Sequence, residues 1–136
     1  MAAVYNYSKA LCEKNAASEG VASRCVFQHG DAKQLDFPDE SFDVVISNYV
    51  YHNVMGADMQ KLLLESLRVL KKGGVFALND DMKQKMYGDM EDFAQKLRDM
   101  GYEEVRLVDT AQEAFGSHRR AAMMMLESSR LLVGRK

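Results

Sequence analysis

Five consecutive residues concentrate the reactive side chains of this sequence. Asn48-Tyr49-Val50-Tyr51-His52 brings together one amide, two phenols and one imidazole. Imidazole, with an ordinary pKa of about 6.5, suits a general base near neutral pH. The equal alternative is that Tyr51 and His52 pack beneath a loop. Asp31, directly after Gly30, offers a carboxylate that can accept a hydrogen bond from a ligand amine. Aspartate after glycine serves at least as readily as a turn or cap residue. Asn79-Asp80-Asp81 offers an amide and two carboxylates, the oxygen donors that a hard cation prefers. Adjacent side chains on an extended chain point to opposite faces, so turn or cap roles are favoured for these three.

Other chemistries lack their residues. Gly73-Gly74 sits before an apolar run, whereas phosphate-cradling glycines follow a strand and open a helix. No GxGxxG or GxxxxGK pattern occurs, His29 and His118 are isolated, and no Cys/His set has zinc spacing. No metal site is therefore expected. Met123-Met124-Met125 reads as core or helix filler. Cys12 and Cys25 read as reduced thiols packed as small apolar groups, which fits a cytoplasmic chain.

The chain has 136 residues, a net charge of -2 and 28% charged residues, the profile of one globular domain. Near-neutral charge argues against nucleic-acid or acidic-membrane partners, which select for excess Lys and Arg. No apolar run approaches the ~20 residues of a membrane span, and the first residues do not resemble a secretory signal.

The elements that must position these groups alternate. Residues 5–17 read as a helix. Residues 25–28 form a short strand before Gly30-Asp31, and 42–47 (FDVVIS) a strand buried on both faces. Residues 58–72 form a helix with Met59, Leu62, Leu63, Leu67 and Leu70 as its buried stripe, Lys71-Lys72 at its negative end and Gly73 as its left-handed terminator. A strand at 74–78, a helix from about 90 to 100 closed by Gly101, a strand at 104–108, a helix at 121–127 and a last strand at 130–134 follow. Strands separated by helices imply an α/β fold with a mainly parallel sheet, the last strand being antiparallel. Ligands bind beyond the carboxyl ends of such strands, which here are Gly30-Asp31, residues 47–52 and Asn79-Asp80-Asp81.

Three segments in order carry a resemblance. Gly30-Asp31-Ala32, then the run from Leu35 through Phe37-Pro38-Asp39-Glu40-Ser41-Phe42-Asp43 to Val45, then Arg68-Val69-Leu70-Lys71-Lys72-Gly73-Gly74 closely resemble class I S-adenosylmethionine-dependent methyltransferases, most of all the small-molecule, type-11-like subgroup. The resemblance implies a Rossmann-like sheet in the order three-two-one-four-five-seven-six, with residues 25–28 as strand three and the later strands as four to seven. It further implies that Asp31 receives the adenine amino group and that the Ala32 N–H meets the ring. By the same resemblance Asn48 and Tyr49 would lie near the methionine part of the cofactor, and Tyr51 and His52 would face the methyl-transfer side. The resemblance implies S-adenosylmethionine as cofactor and a small-molecule methyl acceptor as partner. Asn48-Tyr49 resembles the amino-methylating (N/D)PPY motif only without its prolines, so nucleic acid is set aside as substrate.

The family opens with two strands, a glycine loop and an acidic residue that grips the ribose. This sequence starts at the helix after them. The expectation is an N-terminally truncated, single partial domain over 1–136. Losing two or three neutral hydrogen bonds at about 1 kcal/mol each and one charge-assisted pair at about 1.5–3 kcal/mol weakens cofactor binding by roughly 4–6 kcal/mol, taking a micromolar site to about millimolar. Strand four is left with an apolar edge that recruits a second copy, a partner chain, or strand three directly. The competing expectation is a non-catalytic remnant or subunit. A nicotinamide-dependent enzyme is disfavoured because it needs the same glycine loop.

Overall fold

The computed structural model describes residues 8–136, which fall into two units divided between Asp31 and Ala32. In the first unit, helix α1 (Lys9–Ser18) is capped by Ser8, whose hydroxyl accepts from the Leu11 N–H at 3.1 Å. The expected helix thus begins later, and its residues 5–7 lie outside the described residues. A short 3-10 turn, Ala22–Arg24, follows. Residues 25–28 form no strand, contrary to expectation: Val26 is 90% exposed. A short run of this kind needs a neighbouring backbone to receive its ladder bonds, and none among the described residues is paired with it. Cys12 and Cys25 are free and exposed rather than packed.

The second unit holds the sheet. Its elements are β1 (Phe42–Asn48), α2 (Met59–Arg68), β2 (Leu70–Asp81), α3 (Gln84–Tyr87), α4 (Met90–Asp99), β3 (Glu104–Asp109), α5 (Thr110–Phe115), α6 (His118–Met123) and β4 (Ser129–Arg135). The strand order is β1-β2-β4-β3. β1 and β2 are parallel, and β4 runs antiparallel to both β2 and β3, so three strands point one way and β4 opposes them. This is the four-five-seven-six part of the order given above. Among the described residues β1 pairs with β2 alone, so residues 25–28 do not join it as strand three.

One face of the sheet carries the core. Phe76, Leu78, Leu132 and Val105 pack with Leu62, Leu63 and Leu67 of α2 and Phe93, Ala94 and Leu97 of α4. Each leucine or phenylalanine buried in this way contributes about 1.5–3 kcal/mol. On the other face Val44 and Ile46 of β1 remain 58% and 76% exposed. β1 is therefore buried on one side only, because the apolar run that reads as two-sided burial is covered by α2's side alone. Among the described residues no helix is long and apolar enough to cross a membrane.

Two helix ends differ from the sequence reading. α2 stops at Arg68 with Val69 as its cap, and Lys71 and Lys72 already belong to β2. The cation at the helix's negative end is instead Lys136, whose ammonium donates to the Leu67 and Leu70 carbonyls at 2.7 Å each. Burial lowers its pKa. Of the expected helix at 121–127 only the first three residues are helical, as the end of α6, and α5 precedes it where no helix was expected; Met123, Met124 and Met125 are 81%, 64% and 72% exposed instead of filling the core.

The loop before β1 is pinned by Arg68. Its guanidinium donates to the Phe37 and Leu35 carbonyls at 2.9 and 3.0 Å and to Asp39 at 2.7 Å. It also pairs with Glu65 at 2.8 Å, and Glu65 accepts from the Leu35 N–H at 2.8 Å. The bond from Arg68 holds the Glu65 carboxyl below its ordinary pKa. A depressed carboxylate adds stability that is present above its unfolded pKa, about 4.3, and is lost as pH falls through the lower folded value. Acidification below about pH 4 and Arg68→Ala are both expected to speed amide hydrogen exchange at residues 35–40 before the sheet opens. Unchanged exchange there would show that the loop is held by other contacts.

Candidate active site

The parallel register of β1 and β2 sets Asn48 directly beside Asn79 at their carboxyl ends. Alternation along β2 then separates the next side chains. Asn79 turns to one face, where its Nδ2 donates to Asn48 Oδ1 at 2.8 Å. Asp80 turns to the core face and is fully buried. Asp80 therefore lies inside a strand, not in the turn or cap expected for it, and its charge needs a partner.

That partner is His52. A 3-10 turn, Tyr51–Asn53, follows β1 and turns the ring onto Asp80: His52 Nδ1 is hydrogen-bonded to Asp80 Oδ1. The His52 N–H donates to Asp80 Oδ2 at 3.1 Å, and the Asp81 N–H to Asp80 Oδ1 at 2.7 Å. A buried carboxylate holding Nδ1 favours the tautomer with its proton on that atom and leaves the Nε2 lone pair free. The His52 side chain is 32% exposed, so the ring is within reach of a ligand.

Tyr51 goes the other way. It is 4% exposed, and its hydroxyl is bonded to Ser66 of α2 at 2.8 Å. Burial raises its pKa. The structure thus separates the two catalytic candidates: an accessible imidazole and a phenol beneath the sheet. Tyr87 is also buried. Burial and the nearby Asp80 charge push its pKa up.

Tyr49 adopts φ +53°, a left-handed conformation uncommon for a non-glycine residue. Both its ends are fixed: its N–H donates to the Asn79 carbonyl at 2.9 Å, and its hydroxyl meets Ser129 Oγ at 2.6 Å. Such a conformation costs about 1–3 kcal/mol and persists where surroundings enforce it, often beside functional sites.

Asn48, Asn79, Val50, Tyr51 and Ala32 line an open hollow of about 750 Å³ with otherwise mostly apolar walls. That volume suits a cofactor-sized ligand. Asn48, Tyr51 and Ala32 are brought to this hollow, whereas Tyr49 and His52 are not among its lining residues. Asp31 is exposed at the end of the first unit. Among the described residues, no group of three or more His, Cys, Asp or Glu is placed to hold a metal. In the sequence Asp80 reads as a cation or turn carboxylate and not as the partner of His52, although the spacing Phe76, Leu78, Asp80 on the buried face of a strand signals a buried acid.

Residues 3–78 match the model of a methyltransferase domain family. Among curated proteins, the 27-O-demethylrifamycin SV methyltransferase of Amycolatopsis mediterranei is 32% identical over 109 residues, covering 80% of this chain and 39% of that protein. The sterol 24-C-methyltransferase erg6 of Aspergillus fumigatus is 33% identical over 82 residues, covering 60% of this chain and 21% of that one. The chain thus spans well under half the length of these curated relatives. Among solved structures, the cyclase SpnF superposes with a TM-score of 0.60 at 19% identity, covering 93% of this chain and 62% of that one, which speaks to fold alone.

Proposed function

Since the chain belongs to the class I S-adenosylmethionine-dependent methyltransferase family, we propose that it serves as a methyltransferase domain for a small-molecule acceptor, with His52 as general base. The observation that carries this reading is the His52–Asp80 pair at the carboxyl ends of β1 and β2. S-adenosylmethionine supplies, when bound, an electrophilic methyl group on a sulfonium. His52 Nε2 takes the proton of an acceptor hydroxyl, and Asp80 stabilises the imidazolium that forms. Asn48 and Tyr49 hold the methionine end, Ala32 offers its N–H to the purine, and Asp31 accepts from the adenine amino group. Tyr51 anchors the turn that presents His52. The rifamycin- and sterol-related names of the relatives support a small-molecule acceptor. Cytoplasmic placement and weak cofactor binding by the 136 residues, acting as a single partial domain, belong to the same reading.

The test is transfer of labelled methyl from S-adenosylmethionine to simple phenols, beside calorimetry with S-adenosylhomocysteine. His52→Ala is expected to lower transfer at least ~100-fold while leaving binding unchanged. Equal transfer by the variant removes His52 as base, and saturable binding at micromolar concentration removes the weak-binding part.

A second reading is favoured by β1 itself. Val44 and Ile46 are exposed, and β2 is the only strand paired with β1 among the described residues. An unpaired apolar edge recruits another strand, so the chain associates with itself or with a partner chain and need not be catalytic. Light scattering after size exclusion decides the self-association arm. A clean monomer at high concentration counts against it.

A further inference from the structure

A chain of side-chain hydrogen bonds crosses the carboxyl ends of β1, β2 and β3 and the amino end of β4. Tyr49 OH lies 2.6 Å from Ser129 Oγ, and Ser129 Oγ lies 2.8 Å from Thr110 Oγ1. Thr110 Oγ1 lies 3.0 Å from Asn79 Oδ1, and Asn79 Nδ2 lies 2.8 Å from Asn48 Oδ1. Ser129 is fully buried, so water does not break the chain there.

With Asn79 Nδ2 set on Asn48 and its Oδ1 on Thr110, counting protons gives the chain its direction. Each hydroxyl has one proton to give. Thr110 spends its proton on Asn79 Oδ1, which can only accept. Ser129 must then donate to Thr110, and Tyr49 must donate to Ser129. The order agrees with acidity: a phenol is the strongest donor of the three hydroxyls, and it makes the shortest of these bonds. At the far end Asn79 donates to one lone pair of Asn48 Oδ1. The polar group of Asn48 not shared with Asn79 is its NH2.

We infer that Asn48 faces the ligand with its NH2 group, so the ligand atom it favours is an oxygen acceptor such as a carboxylate, carbonyl or hydroxyl oxygen over an amine. The inference rests on the hollow being the ligand site of the proposed methyltransferase. It adds what that reading does not contain: an amine at Asn48 has to share Oδ1 with the Asn79 N–H and leaves the Asn48 NH2 unpaired. The acceptor oxygen has two sources, the amino-acid end of the cofactor or the methyl acceptor itself.

The test uses the full chain labelled with ¹⁵N and ¹³C. A coupling across the hydrogen bond from Asn79 Nδ2 to the Asn48 side-chain carbonyl is expected. Sodium benzoate is expected to shift the Asn48 NH2 signals saturably in the millimolar range, and benzylamine, of similar shape, to leave them in place. Asn48→Asp should weaken benzoate at least tenfold and admit benzylamine. S-adenosylhomocysteine and its decarboxylated analogue separate the sources: a tenfold preference for the carboxylate form that vanishes in Asn48→Asp assigns the oxygen to the cofactor, and equal affinity assigns it to the acceptor. A coupling from Asn48 Nδ2 to the Asn79 carbonyl overturns the inference. So does an Asn48 signal that answers benzylamine, or neither fragment. Shifts at Ala32 with S-adenosylhomocysteine but no benzoate preference sink this inference alone. An intact coupling and benzoate preference without any response to S-adenosylhomocysteine sink the cofactor reading alone.

Discussion

Asp80→Ala unfolds the chain at markedly lower urea concentration than the wild type, by about 3–5 kcal/mol. The carboxylate is fully buried and accepts from three groups: the His52 ring, the His52 N–H and the Asp81 N–H. Removing it strands two backbone donors and releases the ring, and stranded buried donors each cost about 1–3 kcal/mol. The cost stays in the lower part of the summed range because His52 is partly exposed and water can reach the freed imidazole. Asp80→Asn separates position from charge. An amide keeps an acceptor for one backbone N–H, so most of the stability returns. It cannot hold the His52 Nδ1 proton as an anion does, so the imidazole shifts toward the Nε2–H tautomer. The ¹⁵N shifts of the His52 ring read that change directly. A loss below about 1 kcal/mol for Asp80→Ala, with the His52 tautomer unchanged in Asp80→Asn, would show that the pair does not orient the ring.

Gly134→Ala is expected to be worse, because the conflict is with backbone. A methyl group at position 134 would lie 1.8 Å from the Glu104 carbonyl oxygen and 2.8 Å from Phe76 Cζ. The aromatic ring can shift by tenths of an ångström, but the carbonyl is held in the β3–β4 ladder. The ladder must therefore open, taking β3 away from the core. We expect more than about 4 kcal/mol of destabilisation, seen as loss of soluble chain and of the cooperative thermal transition. Gly73→Ala provides the contrast. Nothing lies within 4 Å of its added methyl, and only its φ of +75° opposes the change, which costs about 1 kcal/mol. Equal stability of the two variants would contradict the packing of β3 on β4.

The four strands were legible because each is an apolar run between turn signals, and pairing extends the runs by a few residues. Residues 25–28 carry the same signal, but a strand exists only through its neighbour, and that information is absent from the run itself. The end of α2 was misplaced for a related reason: Lys71-Lys72-Gly73 has the composition of a helix terminus, while Lys136, 68 residues beyond Arg68, supplies the cation. His52 was legible as an imidazole after a strand end. Its partner lies 28 residues away, and only the parity of β2 places Asp80 and Asn79 on opposite faces. The chain through Thr110 and Ser129 was not legible, since it depends on the strand order β2-β4-β3 bringing three distant segments to one edge.

The most direct measurement is a map of amide and side-chain shifts on adding S-adenosylhomocysteine at millimolar concentration to the labelled chain. Shifts confined to Ala32, Asn48, Tyr49 and the turn carrying His52 are the predicted result. A response centred elsewhere on the sheet, or none at these residues at any concentration reached, contradicts the account.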